Sequence, residues 1–368
     1  MKVITIGGAT KDLFLHYKYP DPLLFCSGQD NFIRFDAGKK IELESVQDYL
    51  GGGGTNTAVS FTRLGLETNI ICKVGIDAAG IAIVDQLKKE QVNTDLVTID
   101  KECSTAESFI LPACEGNSAL LVYRGANTHL ATQDIPLNQL DGYSCLYMSS
   151  LNGPAAQLVK PISEAAKKQN LFVAINPGMS QLCEHADTLE QSLANIDVLI
   201  LNNCEAREFM LTLVKNNDIS SVKEEPIKTD TSPQLLQAWI EEGEHCFNLM
   251  HYFKEILKRG PSTVVVTNDA EGVYVAHGGQ VFFHPSIKTE IVSTVGAGDA
   301  FGSCFVASLM NKQPIEQAIG QGVLNSASVL KHESTQEGLL TAQELKAQYA
   351  SLNKDLIQRF ELDRSTEE

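Results

Sequence analysis

Positive charge is scarce in this chain. It carries 29 Lys and Arg against 46 Asp and Glu, a formal net charge of −17 over 368 residues. A nucleic-acid binder needs clustered cations to meet the phosphate backbone, so the balance points away from that class. A small anion held by local backbone amides stays open, because the field of a site is local. No apolar run is long enough to span a bilayer, so no membrane partner is expected. None of the nine cysteines forms a C-x-x-C pair, which removes the usual zinc and dithiol motifs. Most sit in apolar runs, such as Cys72 in Ile70-Ile71-Cys72 and Cys145 beside Leu146. They read as reduced core residues of a cytosolic protein. Met1 to Gly8 runs straight into a strand, so no signal peptide is expected and the expected location is cytoplasmic. A Walker P-loop is absent too, since no G-x-x-x-x-G-K-[ST] occurs.

What the chain does have is core. Hydrophobic residues make up 43% and charged residues 20%, ordinary for a globular protein of this length. Residues 2–6 read as a short buried strand ending at Gly7-Gly8. A helix is expected after Gly51 to Gly54, with Ala58, Val59, Phe61 and Leu64 inward and Gly65 at its end. Thr68 to Val74 reads as a strand and Ala78 to Gln91 as an amphipathic helix. From about residue 143 the rhythm is strand, helix, strand: Leu146 to Ser149, Leu171 to Ile175, Val198 to Leu201 and Thr263 to Thr267 are apolar and separated by helical patterns. That predicts a mostly parallel sheet with helices on both faces. Residues 13–50 and 105–124 differ, alternating over short runs such as Phe32-Ile33-Arg34-Phe35 and Ala119-Leu120-Leu121-Val122. They read as β-stranded excursions. Residues 215–260, with a helix through Trp239 and Phe253, read as a surface insertion.

Two glycine-rich stretches carry the chemistry. Gly51-Gly52-Gly53-Gly54 before Asn56 lets the backbone approach a ligand or act as a hinge; a flexible linker has the same composition. Ser293-Thr294-Val295-Gly296-Ala297-Gly298-Asp299-Ala300-Phe301 joins a glycine turn to a carboxylate at the start of a helix. Amides at such a turn converge on an anion, and the aspartate stands ready to take a proton from an attacking hydroxyl. Transfer of a phosphoryl group to an alcohol needs both parts. A loop with an aspartate helix cap would look alike in four residues.

Together the two stretches resemble the paired signatures of the ribokinase, or PfkB, family of carbohydrate kinases. Gly51-Gly52-x-Gly54-x-Asn56-x-Ala58 with Arg63-Leu64-Gly65 is similar to the first, and Thr294 to Phe301 to the second. Val74-Gly75-Ile76-Asp77-x-x-Gly80 and Asn202-Asn203-Cys204-Glu205 resemble further family motifs, so the likeness spans most of the chain. It implies a three-layer α/β/α fold with a mostly parallel central sheet and a small β lid. Residues 1–12, 51–104 and 125–368 would form the core, and 13–50 with 105–124 the lid.

The resemblance also implies roles. Asp299 would be the base, with Gly296, Ala297 and Gly298 as the anion hole. Asp12, Gly51, Gly52 and Asn56 would line the sugar site, joined by Asn152. Asn202, Thr267 and Gly272 would hold ATP, with Glu205 acting on Mg²⁺, mostly through water. The implied substrates are ATP and a small sugar, with a nucleoside or phosphosugar kinase, or a non-catalytic sugar- or nucleotide-binding regulator, as alternatives. A phosphosugar would require Lys or Arg in the pocket, and only Arg34, Lys39, Lys40 and Arg124 lie in or near the lid. Where the family often has Asp and Thr holding a monovalent cation, this chain has Ser293 and Val295, so that ion is not carried over. Asp269 replaces the first glycine of the family's T-x-G-x-x-G nucleotide loop, which would repel phosphate unless it turned outward. An exposed lid edge would suit a homodimer.

Overall fold

The computed structural model describes residues 1–18, 23–27, 30–113, 118–216, 232–237, 240–242 and 245–362. Strand β1 (Lys2–Ile6) leads to β2 (Thr10–Tyr17), the hairpin β3 (Leu23–Ser27) and β4 (Asp30–Arg34), then β5 (Leu43–Gly51). Helix α1 (Gly53–Arg63), β6 (Glu67–Gly75), α2 (Ala78–Lys89), β7 (Val97–Asp100), β8 (Ala106–Pro112) and β9 (Ser118–Tyr123) follow. The middle of the chain alternates: β10 (Cys145–Met148), α3 (Val159–Lys168), β11 (Phe172–Ile175), α4 (Ala186–Ser192), β12 (Val198–Asn202) and α5 (Asn203–Lys215). Next come α6 (Gln234–Gln237), β13 (Ile240–Glu242), β14 (His245–Phe247), α7 (Leu249–Lys258), β15 (Thr263–Asn268), β16 (Gly272–His277) and β17 (Gln280–Pro285). Helices α8 (Ala297–Met310), α9 (Ile315–Val329) and α10 (Ala342–Ala350) and strand β18 (Gln358–Glu361) complete it.

Ten strands form the central sheet in the order β18-β17-β16-β15-β12-β11-β10-β1-β6-β7. The seven from β15 to β7 run parallel, and β16 to β18 close the other edge antiparallel. Successive strand side chains point to opposite faces, and that period divides the core. Ile4, Leu146, Val173 and Leu199 pack into one layer with α3, α4, α5 and α7. Val3, Cys145, Ala174 and Val198 pack into the other with α1, α8 and α9. The three-layer α/β/α architecture is as expected.

A separate four-stranded sheet, β5-β2-β8-β9, stands off the core. It begins earlier than the expected boundary: β2 starts at Thr10, so Asp12 belongs to this sheet, paired with Tyr49 on β5 and Ser108 on β8. The sheet is pinned where it leaves the core. Asp77 caps α2 through the Gly80 amide and also accepts from the Thr105 amide and hydroxyl at 2.7 Å each. Asn127 accepts from the Ala9 amide at 3.0 Å.

The expected surface insertion needs correction at its C-terminal end. Trp239 lies outside the described residues, but Leu249, Tyr252, Phe253 and Ile256 of α7 are buried in the larger core layer. The cysteines are also mixed. Cys72, Cys145 and Cys304 are buried and free, whereas Cys183 and Cys204 are free and exposed; the last two fall at strand-end loops and helix starts rather than in apolar runs.

Candidate active site

Helix α8 begins at Gly296, whose φ of +84° is left-handed. A β-carbon there would sit 2.8 Å from that of Thr335, so both conformation and space favour glycine. Space around Gly298 is open, and the first amides of a helix have no intrahelical acceptor. Asp299 stands in this first turn. Its carboxylate accepts the Asn56 side-chain amide at 2.8 Å. Burial raises the pKa of Asp299, and the Asn56 hydrogen bond opposes the rise.

Asn56 is itself held. Its Oδ1 accepts from the Thr335 hydroxyl at 2.8 Å and the Gln336 side-chain amide at 3.2 Å. With its acceptor engaged by two donors, its own NH₂ is turned to Asp299. Thr335 and Gln336 are buried. Sequence reasoning missed both, since Ser334-Thr335-Gln336 matches no motif. The one available signal was a polar run just beyond the buried end of α9.

Asp12 comes in from the lid. It is 5% exposed, and burial pushes its pKa up to about 7, with a hydrogen bond to Ser108 opposing and the charge of Asp299 adding. A β-carbon on Gly51 would collide with this carboxylate. Gly52, at φ +98°, packs against the backbone of Gly8. The glycine cluster is thus a seam between two backbone loops, and it seats Asn56 on α1 beside Asp299. Asp12, Gly51, Asn56 and Asp299 are brought together, with Gly296 to Gly298 at the edge of the group.

The remaining residues lie at neighbouring strand ends. A cavity of about 450 Å³ is lined by Arg124, Ser150, Asn152, Asn176, Glu184 and Glu205 among others. Glu205 forms a capping box with Asn202: its Oε2 accepts the Asn202 amide at 2.9 Å, and Asn202 Oδ1 accepts the Glu205 amide at 2.8 Å. Burial raises the Glu205 pKa, the Asn202 amide lowers it, and the charge of Asp299 raises it further. Thr267 is the register partner of Asn202 across β12 and β15. Thr267 and Gly272 flank the β15–β16 hairpin and do not line the cavity. Within that hairpin Asp269 has φ +40° and is exposed. Asp is among the few side chains that tolerate this region. Glu271 braces the loop, accepting the Tyr274 hydroxyl at 2.6 Å and the Gln234 amide at 2.5 Å.

The donor set suits a hydrated Mg²⁺ carried with a nucleotide. One oxygen of Glu205 is engaged by its cap and the residue lines the cavity. No group of three His, Cys, Asp or Glu able to hold a metal occurs among the described residues. A hard ion that keeps its waters and relies on phosphate oxygens needs no such cage.

Comparison with known proteins fits this geometry. The family model described as pfkB family carbohydrate kinase matches residues 23–229 and 234–342. The chain is 25% identical over 337 residues to a ribokinase of Staphylococcus aureus, covering 90% of this chain and 94% of that one. It is 26% identical over 311 residues to 5-dehydro-2-deoxygluconokinase 2 of Bacillus cereus, covering 81% and 85%. In three dimensions it is similar to Arabidopsis thaliana ribokinase complexed with ribose and ATP, at a TM-score of 0.71 and 16% identity over 95% of this chain and 99% of that one. The chain belongs to the pfkB family of carbohydrate kinases and is a phosphotransferase with an alcohol group as acceptor.

Proposed function

We propose that this chain transfers the γ-phosphoryl group of ATP to a hydroxyl of a small sugar. The observation that carries the reading is the Asp299 carboxylate, held by Asn56 in the first turn of α8 and faced by Asp12 from the lid. Asp12 and Asn56 bind and orient the acceptor. Asp299 takes the proton from the attacking hydroxyl. Its raised pKa makes it, once ionised, a stronger base than an exposed carboxylate. The amides of Gly296, Ala297 and Gly298 stabilise charge developing on the transferring phosphoryl oxygens. Asn202, Thr267 and Gly272 hold the nucleotide, and Glu205 orients waters of Mg²⁺. That ion, when bound, neutralises phosphate charge. Related structures hold ATP with ribose and, in one case from E. coli, ATP with Mg²⁺, which supports the same pair of cofactors here. The lid sheet edge pairs two copies into a homodimer, and the protein works in the cytoplasm.

Turnover tests the reading. Asp299→Asn lowers kcat by about 10²–10⁴ while ATP binding and the thermal unfolding curve stay close to those of the parent. Near-parental kcat in that variant would remove Asp299 as base. A nucleoside acceptor is the second reading, because the fold is shared with a Burkholderia thailandensis nucleoside kinase solved with inosine, at a TM-score of 0.71. ADP release across sugars and nucleosides separates the two.

A further inference from the structure

Arg124 is the basic side chain of the 450 Å³ cavity; the rest of the lining is neutral or acidic. It directly follows lid strand β9 and opens a short helical turn, Gly125–His129. That turn is fixed to the core, with the Ala126 amide donating to the Ser104 carbonyl at 2.9 Å and Asn127 accepting from Ala9. The backbone of Arg124 is therefore anchored at the junction of lid and core. Its guanidinium makes no hydrogen bond or ion pair among the described residues, although Glu184 and Glu205 line the same cavity. The residue is exposed to solvent, and the protein around it lowers its pKa from the ordinary arginine value.

An arginine with a fixed base, an unfilled fork of donors and polar walls is built to take a planar or tetrahedral oxyanion. Two observations say whose anion it is. The hairpin bearing Thr267 and Gly272 does not line the cavity, so the nucleoside part of the nucleotide lies elsewhere, while Glu205 would bring its Mg²⁺ to one wall. Against one guanidinium stand two carboxylates, Glu184 and Glu205, which disfavours a multiply charged polyphosphate beside Arg124 and leaves room for one anionic group. Asn152, Ser150 and Asn176 on the same walls are hydroxyl and amide partners suited to sugar hydroxyls. We infer that Arg124 receives a single anionic group on the acceptor, a carboxylate or a phosphate ester, so that the preferred acceptor is an acidic or phosphorylated sugar. The inference rests on the kinase reading and narrows its acceptor.

The test compares matched acceptors that differ in one group: ribose with ribose 5-phosphate, fructose with fructose 6-phosphate, and glucose with gluconate. ADP release by the parent protein is expected to show the higher kcat/KM on an anionic member, and which pair responds distinguishes phosphate from carboxylate. Arg124→Gln lowers the anionic-to-neutral ratio of kcat/KM by about tenfold or more, the loss expected for a charge-assisted hydrogen bond, and Arg124→Lys restores part of it. Equal or better use of the neutral members by the parent overturns the inference and leaves the kinase reading standing. So does a variant that raises the KM for ATP with the acceptor ratio unchanged, since the anion would then be the nucleotide's. No ADP release on any acceptor counts against the kinase reading instead. Calorimetry with the same sugars then decides Arg124 alone: binding of an anionic sugar that Arg124→Gln weakens supports the inference, and binding equal in both proteins, or absent from the parent, overturns it.

Discussion

At the scale of single residues, the proposed chemistry rests on two carboxylates, the buried Asp12 and the half-buried Asp299, and on one amide. Asp12 and Asp299 both have raised pKa values, chiefly from burial, and the charge of Asp299 adds to the rise at Asp12. A base must be ionised to act, so with Asp299 as the proposed base kcat is expected to rise with pH through its pKa, above the usual carboxylate range. The hydrogen bond from Asn56 stabilises the ionised form and holds that pKa down. Thr335 and Gln336 hold Asn56 in turn, which makes Thr335 a positioning residue. Thr335→Val frees the Asn56 amide, weakens its donation to Asp299 and raises the Asp299 pKa. The acidic limb of the kcat–pH profile moves up by about half to one unit, and Thr335→Ser moves it back. A limb unchanged in Thr335→Val, with only stability reduced, would assign Thr335 to packing alone. Linkage gives a second sign. A carboxyl group with a raised folded pKa favours the folded state when protonated, so its stabilising effect is full below the unfolded value of 3.8 and is lost as pH rises to about 7, the value for Asp12. The residues that match a motif were legible in sequence. Thr335, which acts only through Asn56 across 279 positions, was not, because nothing local marks a polar residue as someone else's hydrogen-bond partner.

At the scale of elements, α8 links the site to the core. Its first turn carries Asp299, and over the next two turns Phe301 and Phe305 are buried and stacked, with ring centroids 5.6 Å apart. Ser303 bridges to Ser60 on α1 at 2.7 Å, and Asn325 on α9 donates to the Ala300 carbonyl at 2.8 Å. Three helices thus fix the height and rotation of the Gly296–Gly298 turn proposed to bind the anion. Truncating the fully buried Phe305 to alanine removes one side of that packing and costs about 3–5 kcal/mol of stability, read as a lower urea midpoint with an unchanged slope. A loss under about 1 kcal/mol would show that the layer collapses around the gap. The parallel strands β10, β11, β12 and β15 were readable because they are continuous apolar runs between helices. Strand β2 was not, because Lys11 and Asp12 interrupt its alternation, and Asp12 turns inward although it is a carboxylate. Strand β18, Gln358-Arg359-Phe360-Glu361, carries three polar residues in four and forms only because β17 offers it an edge. Helix α7 read as surface because Lys254, Glu255 and Lys258 share its sequence with the residues it buries.

At the scale of the molecule, the lid is unfinished as a single copy. Among the described residues strand β9 bonds to β8 on one side alone, and Leu120, Leu121, Val122 and Tyr123 along it are 46%, 61%, 40% and 47% exposed. Consecutive side chains alternate between faces, so this edge presents apolar surface on both. Leu43 and Val46 on β5, the opposite edge, are exposed as well. Edges of this kind are normally charged, shortened or covered, and a contiguous apolar patch marks a contact surface. The net charge of −17 does not forbid self-association, since screening reaches about 8 Å at physiological salt and the patch itself is uncharged. In the proposed homodimer a second copy of the lid supplies both a strand partner and the apolar cover. Light scattering after size exclusion at micromolar concentration is expected to give twice the chain mass. Leu121→Glu, which puts a charge on the exposed edge, shifts the mass to that of one chain and raises the acceptor KM, because the Asp12 sheet loses its support. The parent eluting as a monomer across that range would dismiss the pairing. A monomeric Leu121→Glu with parental KM would keep the dimer but separate it from acceptor binding.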